Sequence, residues 1–220
     1  MLNPKRIALF CGHYGSGKTN IAVNYGLWLK SQGRQVTVAD MDIVNPYFRT
    51  KDSEKELNEA GIELISPHFA NSNVDLPSLP QELYGLFQRK NQNVVLDIGG
   101  DDRGAYALGR FVPYILEENN YDCFFVANFY RPLTRTAPDA LEVMREIEVA
   151  GKIPFTGIIN NSNIGEATTA EDIEKTFSAA QELSKLSGLP VVMVTAEQSI
   201  ADKVNSEFVL PLKLQEKYWK

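Results

Sequence analysis

Two cysteines in 220 residues, Cys11 and Cys123, are too few for a disulfide-stapled secreted scaffold. With neither CxxC nor CxC spacing they form no zinc or iron–sulfur motif. Both read as reduced, buried thiols. His68 stands alone, a weak basis for a metal centre. Positive charge is also scarce: 22 Lys and Arg against 28 Asp and Glu give a net charge of −6, the wrong sign for coating nucleic acid or anionic lipid. No nucleic-acid partner is expected. No apolar run approaches a membrane span, and Ile7 to Cys11, although it follows Lys5 and Arg6, is shorter than a signal-peptide core and runs straight into glycine. A cytoplasmic location follows as the expectation. Repeats, low-complexity tracts and linkers are absent too, so residues 1–220 read as one domain. The 44% hydrophobic and 23% charged residues sit close to globular averages and exclude a disordered chain.

Short apolar runs alternate with helical patterns. Arg6–Cys11, Val36–Ala39, Ile62–Ile65, Val94–Ile98, Cys123–Ala127, Phe155–Ile159 and Val191–Val194 read as strands, several apolar at consecutive positions as strands buried on both faces must be. Thr19–Ser31, Ser53–Ala60, Pro80–Arg89, Ala105–Glu118, Pro138–Ala150, Ala170–Leu186 and Ala196–Val204 carry helical spacing. Gly33, Gly61, Gly151 and Gly188 are expected to end four of them. The alternation predicts an α/β fold, a mainly parallel sheet with helices on both faces in three layers. Residues 66–79, with two prolines and two asparagines, read as a surface loop.

Between the first strand and the first helix lies Gly12-His13-Tyr14-Gly15-Ser16-Gly17-Lys18-Thr19, a full match to GxxxxGK[ST]. At average residue usage this pattern arises by chance in about one chain of this length in a hundred, and its strand-then-helix setting lowers that further. Backbone N–H groups of such a loop and the helix N-terminus attract phosphate together. Lys18 is expected to reach the β- and γ-phosphates and Thr19 to offer its hydroxyl to magnesium. Gly12 through Thr19, with Asn20 behind them, form the predicted nucleotide-binding segment.

The second strand ends in Asp40-Met41-Asp42. An isolated Asp-x-Asp is as well explained by a turn, but at the end of the strand after a phosphate loop both carboxylates can approach magnesium and an attacking water. A later strand delivers Asp97 just before Gly99 and Gly100, the pattern of a second metal-associated carboxylate followed by a switch segment whose Gly100 amide meets a γ-phosphate.

These three sites in this order resemble the MinD/ParA branch of phosphate-loop ATPases, within the CobQ/CobB/MinD/ParA nucleotide-binding group, over most of the chain. The resemblance implies ATP and magnesium as cofactors, with Asp40 serving the metal and Asp42 activating water. It also implies an asparagine reading adenine after a later strand, which places Asn161 of Gly157-Ile158-Ile159-Asn160-Asn161 against the base. The same cluster also suits an ordinary strand-to-helix turn. Thr195-Ala196-Glu197 would pack near the base.

Two departures stand out. Many relatives carry a lysine early in the loop that crosses to a partner subunit's nucleotide, where this chain has His13 followed by Tyr14 in place of glycine. The cysteines that bridge a cluster in the related iron protein have no matching pair. The leading expectation is an ATPase in which Lys18 and Asp42 are catalytic, Thr19, Asp40 and Asp97 hold magnesium, and nucleotide state controls an unidentified protein partner, with homodimerisation open. Alternatives are an ATP-dependent transferase or ligase of the cobyrinate-amidation or dethiobiotin-synthesis type, and a nucleotide-binding regulator with negligible turnover. Arg49 reads as a phosphate or partner contact or as a solvated residue, and Asp101-Asp102-Arg103 as a polar turn and helix start. The tail 208–220 is expected to pack on the domain, because Pro211 interrupts any membrane-surface helix.

Overall fold

The computed structural model describes residues 3–42, 50–66, 82–100 and 102–214. Arg49, His68, Asp101, nearly all of the 66–79 loop and the last six residues lie outside them.

Strands β1 (Ile7–Cys11), β2 (Val36–Met41), β3 (Glu63–Ile65), β4 (Asn93–Ile98), β5 (Tyr121–Ala127), β6 (Gly157–Asn160), β7 (Val191–Glu197) and β8 (Val209–Leu212) form one sheet in the order β3-β2-β4-β1-β5-β6-β7-β8. Every pairing is parallel. The helices are α1 (Lys18–Ser31), α2 (Glu54–Glu59), α3 (Glu82–Gln88), α4 (Asp102–Leu108), α5 (Val112–Glu118), α6 (Ala137–Gly151), α7 (Ala170–Glu174) and α8 (Phe177–Ser187).

Alternation along each strand divides the core in two. Ile7, Leu9 and Cys11 of β1, with Leu96, Ile98, Cys123 and Phe125, pack under α3, α5, α6 and α8. Ala8 and Phe10, with Val38, Val95 and Phe124, pack against Ile21, Tyr25 and Leu29 of α1 and Leu57 of α2. Burying each such large apolar side chain is worth about 1.5–3 kcal/mol. Cys11 and Cys123 are unbridged and buried with sulfurs 4.0 Å apart, and burial holds the Cys123 thiol well above its usual range. At the opposite edge from the strands' carboxyl ends, Arg6 pairs with Glu118, which also accepts from Lys90 at 2.7 Å.

Four expectations are corrected. The tail supplies an eighth strand, with Pro211 tolerated because β8 is an edge that needs no outward N–H. Its pairing with β7 extends that strand to Glu197, so Ala196–Val204 is not a helix and keeps only a 3₁₀ turn at Ala201–Lys203. The helix expected over Ala105–Glu118 begins at Asp102 and breaks after Leu108, where Gly109 and Phe111 make i→i+3 bonds and Pro113 opens α5. The helix expected over Ala170–Leu186 breaks at Thr176, whose hydroxyl donates to Ile173 O at 2.6 Å and accepts from Asn160 Nδ2 at 2.9 Å. A smaller correction concerns α6: Gly151 is its last residue, and Lys152 takes the left-handed position beyond it. Gly33, Gly61 and Gly188 are left-handed as expected.

Chain order reverses at β1, whose neighbours are β4 on one side and β5 on the other. The crevice at the carboxyl ends of strands beside such a reversal is where open α/β sheets take ligands.

Candidate functional site

Residues 12–17 leave the end of β1 and turn into α1. Gly17 caps the helix at φ 91°, a left-handed angle that side chains rarely adopt, and a β-carbon there would strike the Asn161 amide. No side chain caps α1, and its first turn holds no acidic residue. The positive end of a 14-residue helix, uncapped by any side chain, therefore faces the loop, an arrangement that favours an anion. Within the loop, Ser16 N donates to His13 O at 3.1 Å and Lys18 Nζ to the same carbonyl at 3.2 Å. His13 Nδ1 lies 3.0 Å from Tyr14 O, and the Tyr14 ring is exposed. Asn20, in the first turn of α1, accepts from Asn24 through its backbone carbonyl at 2.8 Å. Ser16 Oγ is buried without a hydrogen-bond partner.

The carboxylates arrive from β2 and β4. Asp40 and Asp97 are paired in register, and each stands two residues beyond one that packs under α1, Val38 and Val95, so both occupy the helix-α1 face of the sheet. Asp42, just past the end of β2, donates its N–H to Asp40 Oδ1 at 2.9 Å. Asp97 Oδ2 accepts from Thr50 Oγ1 at 2.9 Å, while Oδ1 is buried without a partner. Burial pushes the Asp97 carboxyl up to about 6, against the pull of Lys18 and of hydrogen bonds from Thr19 and Thr50 and with the added repulsion of Asp42. An orphaned carboxylate oxygen among hydroxyl and carboxylate neighbours suits a hard divalent cation such as magnesium. Among the described residues no three His, Cys, Asp or Glu side chains form a metal-holding group.

Gly99 and Gly100 join β4 to α4 in close contact with both parts of the site. A β-carbon on Gly100 would stand 2.8 Å from both Lys18 Nζ and Tyr14 N, and one on Gly99 would lie 3.2 Å from Asp42 Oδ1.

On the other flank a buried polar belt closes the ends of β5, β6 and β7. Asn161 Nδ2 donates to Ser16 O at 2.6 Å, its Oδ1 accepts from Thr195, and its N–H donates to Ala127 O at 2.8 Å. The Asn161 side chain thus braces the phosphate loop from the β6 side. Asn160 Oδ1 accepts from Ser162 Oγ at 2.7 Å, and Asn128 Oδ1 accepts from the N–H groups of Tyr130 at 3.1 Å and Asn163 at 3.3 Å.

The structure therefore gathers Lys18, Thr19, Asp40, Asp42, Asp97, Gly100 and Asn161 around one loop. Sequence reading missed Thr50, Asn128 and Arg131. Thr50 carries no motif; Asn128 and Arg131 follow β5 without any spacing signal. Among the described residues no helix is long and apolar enough to cross a membrane.

Comparison with known proteins bears on the fold and on the family. The chain is similar to the cell division protein FtsY of Thermotoga maritima, with a TM-score of 0.61 at 16% identity over 89% of this chain and 63% of that one. It is similar to the signal recognition particle receptor FtsY of Elizabethkingia anophelis, with a TM-score of 0.61 at 13% identity over 87% and 57%. The signal recognition particle 54 kDa protein of Aeropyrum pernix K1, in complex with GDP, gives a TM-score of 0.58 at 16% identity over 88% and 42%. The chain spans less than two thirds of the length of each, and at these identities what is shared is the fold. No curated protein sequence matches. The family profile described as the CobQ/CobB/MinD/ParA nucleotide binding domain matches residues 7–169, from β1 through the phosphate loop, all three carboxylates and the Asn160–Asn163 cluster. The chain belongs to the CobQ/CobB/MinD/ParA nucleotide-binding domain family.

Proposed function

We propose that this chain is a magnesium-dependent ATPase whose nucleotide state sets the conformation of the segment from Gly99 into α4 and so controls a protein partner in the cytoplasm. The observation that carries the reading is the seat of Gly100 against Lys18 Nζ and Tyr14 N, which ties the strand bearing Asp97 and the start of α4 to the phosphate-binding lysine. A terminal phosphate entering beside Lys18 meets that segment first, so its arrival and loss are felt by α4.

In this reading the loop N–H groups, the α1 N-terminus and Lys18 bind the phosphates. Thr19, Asp40 and Asp97 hold magnesium, which when bound supplies charge neutralisation at the β- and γ-phosphates. Asp42 orients the attacking water, and the Gly100 amide donates to the γ-phosphate. The resemblance assigns Asn161 to adenine; because its Nδ2 already donates to Ser16 O and its Oδ1 accepts from Thr195, only the second N–H and the second lone pair of this buried amide remain for the adenine edge. The lysine and aspartate that accompany asparagine in guanine readers are replaced here by Asn161 and Asn163. ATP is therefore favoured even though one structural relative was solved with GDP.

Calorimetry and phosphate release test the reading together. Lys18→Ala loses most affinity for Mg·ATP; Asp42→Ala keeps it and hydrolyses at least about tenfold more slowly. GTP competes poorly with ATP. Wild-type affinity in Lys18→Ala, or a wild-type rate in Asp42→Ala, overturns the assignment.

A further inference from the structure

Arg131 belongs to none of the motifs, yet its side chain ends on the phosphate loop. Its Nε donates to Gly15 O at 3.2 Å across 116 residues of sequence. The stem beneath it is tied down at every step. Phe129 N donates to Ser162 Oγ at 3.0 Å, Tyr130 OH to Asp172 O at 2.7 Å, and Arg131 N to Asn128 O at 3.0 Å. Thr134 Oγ1 closes on the same Asn128 carbonyl at 2.6 Å. Pro132 holds Arg131 extended at φ −94°, ψ 142°. Buried amide and hydroxyl groups thus fix the backbone of a residue whose guanidinium is exposed. Rigid support for an exposed side chain is how binding groups are held in place.

Arginine has five N–H donors, and the bond to Gly15 uses one. Among the described residues no carboxylate pairs with Arg131, in a chain with six more acidic than basic residues. A guanidinium without a counter-charge at the mouth of an anion site is suited to an anion. Sheet order says which part of that anion. The carboxylates stand on β2 and β4, on one side of β1, whereas Arg131 follows β5 on the other side, the strand between β1 and the β6 that leads into Asn161. The metal-bearing end of a nucleotide belongs with the carboxylates and its base with Asn161, so Arg131 falls between them.

We propose that Arg131 is a second cation of the nucleotide site, binding the α- and β-phosphates in its own chain from outside the phosphate loop. This rests on the loop being a nucleotide site, and Lys18→Ala serves as the control for that. The test is calorimetric titration of wild-type protein, Arg131→Ala, Arg131→Gln and Arg131→Lys with Mg·ATP and Mg·ADP, together with steady-state kinetics. Glutamine retains an N–H able to reach the Gly15 carbonyl but carries no charge, which separates a loop-bracing role from phosphate binding.

The expected result is about tenfold weaker binding of ATP and ADP alike in Arg131→Ala and Arg131→Gln. Arg131→Lys recovers part of the loss, KM rises, and kcat stays within about twofold. Full affinity in Arg131→Gln would reduce the residue to a brace and overturn the proposal, as would unchanged affinity in all three variants. A loss confined to ATP, or one appearing mainly in kcat, would overturn the assignment to the α- and β-phosphates. Recovery of activity on mixing Arg131→Ala with Lys18→Ala protein would overturn binding within one chain. If wild-type protein and Lys18→Ala both fail to bind nucleotide, it is the reading of the loop that fails.

Discussion

At the scale of single residues, the site depends on atoms brought within contact where a side chain would not fit. Gly100 is the sharpest instance. Adding one methyl there places it 2.8 Å from Lys18 Nζ and from the Tyr14 amide nitrogen, so either the lysine or the loop must yield. Gly100→Ala should weaken Mg·ATP binding at least about tenfold while costing only about 1 kcal/mol of folding stability, because the strain falls on the loop and not on the core. Titration calorimetry beside urea unfolding checks both halves; tight binding with a large stability loss would contradict it. Glu118 gives the pH counterpart, remote from the site. Burial raises its carboxyl, but the hydrogen bonds and charges of Arg6 and Lys90 outweigh that and leave it below its usual value of 4.5. A carboxyl depressed on folding stabilises above its unfolded pKa, and that contribution is lost as pH falls through the lower folded value. Glu118→Gln should therefore be about 1–3 kcal/mol less stable than wild type at pH 7. The gap should narrow below about pH 4.5. Paired denaturation curves at pH 7 and pH 3 measure the difference, and a gap independent of pH would remove the ion pair as its cause.

At the scale of elements, β8 shows how a short segment with a proline becomes a strand. Pairing with β7 uses one edge, Leu210 and Leu212 point into the α1-side core, and Asn24 of α1 grips the strand's end from below. Its Oδ1 accepts from Lys213 N at 2.9 Å and its Nδ2 donates to Lys213 O at 3.0 Å, so an amide side chain mimics a neighbouring strand. Asn24→Ala should cost about 1–2 kcal/mol. It should also raise hydrogen exchange in β8 ahead of β7, since an edge strand opens locally before the sheet does. Uniform exchange across both strands would show that β8 is not a separate unit. The same reasoning explains the broken helices: where Thr176 is drawn to Asn160, local helical propensity loses to a tertiary hydrogen bond.

At the scale of the whole molecule, the open question is assembly. Sandwich formation in the family that this chain resembles relies on a long cationic side chain early in the loop, and here the position holds His13, with Tyr14 presenting an exposed ring where relatives have glycine. An imidazole is shorter than the lysine side chain that it would have to replace. Mg·ATP should therefore not convert the slow Asp42→Ala variant into a dimer crossed at that position. Light scattering with and without nucleotide gives the answer. A mass that doubles with Mg·ATP and returns to its starting value when His13→Ala is added would restore that mechanism with histidine in the lysine's role.

Much of this was legible in the chain itself, because it rests on local chemistry. The phosphate loop needs contiguous glycines, a lysine and a hydroxyl between a strand and a helix. Asp40, Asp42 and Asp97 are marked by strand ends, and seven strands announce themselves by runs of apolar residues. What only the tertiary structure decided are relations between distant segments. That Asp40 and Asp97 lie side by side follows from β2 pairing with β4, a register no local pattern encodes. Val209–Leu212 becomes a strand only because β7 has an open edge. Thr50 and Arg131 have no signature, since a single hydroxyl or guanidinium acquires meaning only when folding carries it to Asp97 or to Gly15.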